Sequence, residues 1–170
     1  MKNKEKEIFN WMVSSYYSKV LKTACYYLKN KSEAEDITQD VFLKAFQKID
    51  FSKTEESKFP ILYTITKNLS LNRIKNKGWK MESLPDWDLF TNSTNPEKEY
   101  LRKEQMDQIN ESLSSLKGEL QEVLILKHYQ DCSYKEIAEI LNIPQGTVMS
   151  RLYTGRKCLG KKLKGEFYGQ

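Results

Sequence analysis

Apolar residues recur every three or four positions through most of this chain, and the recurrence stops between Gly78 and Pro96. A period near 3.6 is that of amphipathic helices, so the interruption divides the chain into two helical groups. In the first group, Phe9, Val13, Tyr16, Val20, Ala24 and Tyr27 mark one helix face, and Ala34, Ile37, Val41, Ala45 and Ile49 mark another. Ser32 and Glu35 have the S-x-x-E spacing of a capping box, which predicts a helix start at Ser32. A third helix is expected from Pro60, whose missing N–H suits a first turn, with Leu62, Ile65 and Leu69 inward. The interrupting segment GWKMESLPDWDLFTNSTNP is rich in turn formers and reads as a linker. Its Trp79, Trp87, Leu89 and Phe90 leave packing on a domain or on a partner equally open. The expectation is an all-α chain of two small helical domains, residues 1–77 and 104–170, joined by a flexible linker over 78–103.

The second group carries the more specific pattern. Amphipathic stretches run from about Glu97 to Leu116 and from Glu119 to Tyr129. Ser133 and Glu136 then form a second capping box, opening a short helix through Ile137, Ala138 and Leu141. Asn142-Ile143-Pro144 reads as a tight turn, because Asn tolerates left-handed backbone better than any residue but Gly. A further helix follows from about Gln145, with Val148, Leu152, Leu159 and Leu163 inward. Short helix, turn, second helix and basic extension describe a helix-turn-helix. Its second helix presents Gln145, Thr147, Met149, Ser150, Arg151, Tyr153 and Thr154 outward.

Those residue types suit the DNA major groove, where the N-terminal part of a helix reaches base edges. Gln bonds adenine bidentately, Arg bonds guanine, and a methyl or thioether meets the thymine methyl. Arg156, Lys157, Lys161, Lys162 and Lys164 are placed to hold flanking phosphates. The plainer alternative is an amphipathic helix with a solvated basic face. The capped helix and turn that precede it favour DNA, and the charge distribution agrees: residues 1–77 carry 15 basic and 9 acidic side chains, and residues 140–170 carry 6 and 1. Residues 104–139 reverse the balance with 3 and 8, so one face is fitted to meet phosphate and another to avoid it.

Other classes lack their residues. With 39% apolar residues the chain can build compact helical cores, but no apolar run approaches the roughly 18 positions of a membrane span. The N-terminal MKNKEKEIFNW lacks the apolar core of a signal peptide, which reads as cytoplasmic. Cys25, Cys132 and Cys158 are scattered, as reduced thiols are. His128 and Cys132 have helical spacing, yet two ligands do not complete a metal site. One His, no Ser/His/Asp set and no phosphate loop argue against an enzyme and against a cofactor.

Two further polar faces are ambiguous on composition alone. Thr64, Lys67, Asn68, Asn72 and Lys75 line the third helix opposite its apolar side, and Glu33, Glu35, Asp36 and Asp40 cluster early in the second. Either could be solvated surface, and acids near a helix N-terminus are favourable without any partner.

A family resemblance bears on both. AEDITQDVFLKAF, residues 34–46, resembles the polymerase-binding helix of region two in RNA polymerase sigma factors. FPILYTITKNLSLNRIK, residues 59–75, resembles their promoter-melting helix, and YKEIAEILNIPQGTVMSRLYTGRKCL, residues 134–159, resembles region four. Three motifs in order, with a short linker and no region three, are similar to the extracytoplasmic-function group of the sigma-70 family. The resemblance implies that Glu35, Asp36, Gln39 and Asp40 bind core RNA polymerase. It implies that Thr64, Lys67, Asn68, Asn72 and Lys75 face the −10 promoter element, with Lys53 and Phe59 in a base-capturing loop over 50–59. Gln145, Thr147, Met149, Ser150, Arg151, Tyr153, Thr154 and Arg156 would read the −35 element, and an anti-sigma factor is an expected partner. The chain departs from the family pattern at Ile61 (usually Trp), at Asn72 (usually Asp), and at Lys67 and Lys75 (usually Arg). It departs again at Met149 (often basic) and at Thr154-Gly155 (often Arg-Ala), so base preferences do not carry over. Without the resemblance, a stand-alone helix-turn-helix regulator or a polymerase adaptor would fit the same composition.

Overall fold

The computed structural model describes residues 3–48, 57–78 and 96–167, with no strand among them. The helices are α1 (Asn3–Leu28), α2 (Lys31–Lys48), α3 (Phe59–Lys77), α4 (Pro96–Ser114), α5 (Gly118–Leu124), α6 (Tyr134–Leu141) and α7 (Gln145–Phe167). They fall into two compact units, one built on α1, α2 and α3 and the other on α4, α5, most of α6, and α7. Lys53, Ile49 and the linker aromatics lie outside the described residues.

In the first unit each helix packs against the other two. Met12, Val20, Ala24, Ala34, Ile37, Val41, Ala45, Phe59 and Leu62 are buried. The α2 stripe is therefore the one its spacing predicts, as far as Ala45. Its start differs. Lys29 closes α1 in the left-handed region (φ 54°), and the Asn30 side-chain oxygen accepts the Glu33 N–H at 3.0 Å. Asn30, not Ser32, is the N-cap, because the chain turns two residues earlier than the S-x-x-E pattern suggested.

The stripe of α3 also differs from expectation. Its buried residues are Phe59, Leu62, Tyr63, Thr66, Ser70 and Ile74, while Ile65 and Leu69 are only half-buried. Buried threonines make this possible. Thr66 donates to the Leu62 carbonyl at 2.7 Å, Thr38 to Ala34 at 2.7 Å and Thr23 to Lys19 at 2.8 Å. Each hydroxyl is satisfied on its own helix and leaves a methyl for packing, so Thr serves here as an apolar residue. Tyr27 and Tyr63 join hydroxyls across the core at 3.0 Å. Cys25 is fully buried, and desolvation, with Glu35 adding to it, pushes the thiol up to about 11.

The ends of α2 and α3 are clamped by charge. Glu33 accepts from Arg73 at 2.5 Å and also from Lys77. An acid in the first turn of one helix thus meets two cations near the end of another, the arrangement helix dipoles favour. The Lys77 hydrogen bond foremost, joined by the charge of Lys77 and by the Arg73 contact, holds the Glu33 carboxyl below its ordinary range, although burial, second in size, opposes them. Gly78 ends α3 in the left-handed region (φ 64°).

In the second unit α5 packs along α7, and α4 also meets α7. The last turn of α5 runs into a π-helical turn over Ile125–Tyr129, closed by the Gln130 N–H on the Ile125 carbonyl at 3.1 Å. Val123, Leu124, Ile125, Leu126, Ile137, Val148 and Leu152 are buried. Gly155 allows α7 to approach closely: a Cβ there would lie 3.0 Å from Leu124 Cδ1.

Candidate nucleic-acid interface

The helix-turn-helix forms as its capping pattern predicts. Ser133 N–H donates to the Glu136 carboxylate at 2.8 Å, and Glu136 N–H donates to Ser133 Oγ at 3.2 Å. This reciprocal box starts α6, worth about 1 kcal/mol by the usual weight of such a cap. Asn142 takes the left-handed turn conformation (φ 52°), and the Ile143 N–H reaches back to the Ala138 carbonyl at 3.0 Å. Pro144 then precedes α7, its carbonyl accepting the N–H groups of Thr147 and Val148. Buried Val148, Leu152 and Gly155 fix which side of α7 faces inward.

Opposite that side, Gln145, Met149, Ser150, Tyr153, Thr154, Arg156 and Lys157 are exposed, whereas Thr147 is half-buried. The two arginines are not equivalent to the rest. Arg151 turns onto Glu119 of α5 at 2.7 Å. Arg156 Nε approaches His128 Nε2 at 3.4 Å. Burial foremost, with the charges of Arg156 and Lys127, lowers the His128 pKa and keeps the ring neutral as an acceptor. Spacing along α7 alone could not reveal Glu119, since the pairing depends on how α5 lies beside it.

On α3, Ile61, Thr64, Asn68, Asn72 and Lys75 share one exposed strip, with Lys67 half-buried at its margin. Ile61 is 48% exposed at the head of that strip, where the family usually carries Trp. Thr64 donates its hydroxyl to the Pro60 carbonyl at 3.0 Å. Phe59 is a correction. Expected in a base-capturing loop, it is instead fully buried, stacked on Tyr16 at 6.4 Å and edge-on to Tyr63 at 6.1 Å. Lys19 lies over its ring at 5.0 Å, and the neighbouring Lys58 N–H donates to Tyr16 at 3.3 Å. Its apolar area gains more from this core than a solvent-facing pocket could return.

On α2, Asp36, Gln39 and Asp40 are exposed together and Glu35 is half-buried. Leu43, 59% exposed, lies on the same face at the next helical step. It escaped the sequence reading, although its position outside the Ile37–Val41–Ala45 stripe is itself the signal for an exposed apolar residue. No helix among the described residues is long and apolar enough to cross a membrane.

Comparison with known proteins fits this arrangement. The family model for sigma-70 region 2 matches residues 12–80, and that for sigma-70 region 4 matches residues 106–159. An ECF RNA polymerase sigma factor, SigW of Bacillus subtilis, is 30% identical across 96% of this chain and 93% of its own length. The ECF RNA polymerase sigma-E factor of Haemophilus influenzae is 28% identical across 94% of this chain and 89% of its own. Among solved structures, the sigma factor RpoE bound to the anti-sigma factor NepR from Bartonella quintana shares the fold, with TM-score 0.62 and 22% identity. That match covers 92% of this chain and 96% of that one. CnrH, solved with the cytosolic domain of CnrY, shares it at TM-score 0.60 and 19% identity, over 92% of this chain and 88% of that one.

A helical unit of region 2 type followed by a helix-turn-helix unit of region 4 type defines a sigma factor, an initiation factor for transcription. Within that class the chain belongs to the extracytoplasmic-function group of the sigma-70 family. It binds core RNA polymerase and directs promoter-specific initiation through −10 and −35 recognition.

Proposed function

We propose that the work is divided as follows. Residues 1–77 dock on polymerase and engage the −10 element, residues 78–103 link, and residues 104–170 read the −35 element. Glu35, Asp36, Gln39 and Asp40, with Leu43 among them, form the polymerase-docking face of α2. The exposed strip of α3, with Lys67 beside it, meets the −10 element, and Lys53 belongs to the same contact. Residues of α7 from Gln145 to Arg156 meet the −35 element, with Arg151 and Arg156 anchored on α5 and His128. The observation that carries this reading is the outward face of α7, held by the α6 capping box and the Asn142 turn and continued by a basic extension.

The protein performs no chemistry of its own and works in the cytoplasm beside polymerase. Two weak DNA contacts tethered to one enzyme reach useful affinity through effective concentration. An anti-sigma protein is its regulatory partner, a reading supported by the sigma factor RpoE solved with the anti-sigma factor NepR. Run-off transcription from a promoter library, with core polymerase and with or without this protein, tests the division. Protein-dependent starts that share two spaced elements are expected. Specific duplex binding without polymerase, and no new starts, would replace it with a stand-alone regulator.

A further inference from the structure

The exposed face of α7 offers an unusual set of groups to a base edge. Met149 and Tyr153 stand one helical turn apart, 55% and 70% exposed, on the side away from buried Val148, Leu152 and Gly155. Gly146 and Ser150 lie beside them, and a Cβ on Gly146 would meet nothing within 4 Å. The guanidinium groups that would read guanine are turned toward neighbouring residues, Arg151 onto Glu119 at 2.7 Å and Arg156 toward His128 at 3.4 Å. Exposed on this helix are an amide at Gln145, hydroxyls at Ser150 (donating to the Thr147 carbonyl at 3.0 Å) and Thr154, the part of Arg156 not turned to His128, an ammonium at Lys157, and an apolar strip made of a thioether and a ring. Exposing that strip to water serves no packing purpose. Lys157, Lys161 and Lys162 extend the same helix with positive charge, which fits a polyanion and not an apolar protein surface.

Only one base presents an apolar group in the major groove: thymine, through its C5-methyl. We infer that Met149 and Tyr153 form a thymine-methyl reading strip, so that this chain selects its −35 element by methyl contact and not by arginine–guanine pairing. The inference rests on the placement of α7 in the −35 major groove. Gln145, at the start of the same helix, adds an adenine contact. The −35 element is therefore rich in A·T pairs, with thymine at the one or two positions facing the strip.

The test uses the full-length protein with core polymerase. Run-off transcription first selects the promoter, and each −35 thymine is then replaced by deoxyuridine, which removes only the methyl. At the positions read, promoter use should fall about fourfold per methyl, the weight of one buried methylene. Met149→Ala and Tyr153→Ala should lower use of the thymine promoter and no longer distinguish it from its deoxyuridine form. Specific starts from an element insensitive to deoxyuridine at every position, or centred on guanines, would overturn the inference and leave the sigma reading intact. No protein-dependent start at all would overturn the placement of α7 and the inference with it. Because the deoxyuridine comparison leaves the protein unchanged, a variant that fails to fold does not affect it.

Discussion

At the residue scale, the clearest consequences lie in the core of the first unit. Phe59 is enclosed by Tyr16, Tyr63 and the ammonium of Lys19, so its removal leaves a cavity where α3 joins α1. Phe59→Ala should lower unfolding free energy by about 3–5 kcal/mol in a urea titration. A base-contacting residue would instead change promoter use with little effect on stability. Ser70 presents the opposite case. Its hydroxyl is buried on α3 and has no hydrogen-bond partner among the described residues. Ser70→Ala removes that desolvated group at almost constant shape and should raise stability by about 1 kcal/mol. A loss of that size in the same titration would show that the hydroxyl has an essential partner.

At the scale of elements, legibility followed the chemistry of each helix. The α2 stripe was readable because its inward positions are Ala, Ile and Val. The α6 box was readable because Ser133 and Glu136 satisfy each other within four residues. The α3 stripe was not, since Thr66 and Ser70 occupy inward positions and a pattern of apolar letters passes over them. Likewise Ser32 has the right letter for a cap, but the left-handed turn at Lys29 gives that place to Asn30. The pairing of Arg151 with Glu119 joins positions far apart in sequence and was invisible to any spacing rule.

Two element-scale predictions follow from these helix ends. Gly146 occupies the first turn of α7 with open space where a side chain would stand. Gly146→Ala should stabilise the fold by about 0.5–1 kcal/mol. It should also reduce −35-dependent transcription, because the added methyl holds the helix start away from phosphate. Raised activity together with raised stability would remove that role. The Glu33 clamp predicts a pH dependence. A carboxyl whose pKa is lower folded than unfolded adds stability above its unfolded value, and the gain disappears as pH falls through the folded one. Wild type should exceed Glu33→Gln in Tm at neutral pH, with the gap closing in acid below about pH 4.3. A gap that widens in acid would reverse the assignment.

At the scale of the whole molecule, function depends on two small units acting at separate DNA elements while one enzyme holds both. On the proposed division, a single charge reversal on α2 should disable the second unit as well, although that unit is untouched. Asp36 is exposed beside Gln39, Asp40 and Leu43, so Asp36→Arg should abolish promoter-dependent transcription and leave helical content and Tm within error of wild type. Circular dichroism and run-off transcription on the same preparation check both halves. Full transcription would displace the docking face from α2.

The burial of Cys25 has a consequence for how long the molecule survives oxidative conditions. A thiol held near 11 exists as the reactive thiolate in only about one molecule in ten thousand at neutral pH. That sulfur is also closed to solvent, with α1, α2 and α3 packed together in its unit. Peroxide and disulfide reagents must wait for the three-helix core to open before they can react with it. The rate at which Cys25 itself is alkylated, resolved from Cys132 and Cys158 by peptide mapping, is thus a clock for unfolding of the first unit.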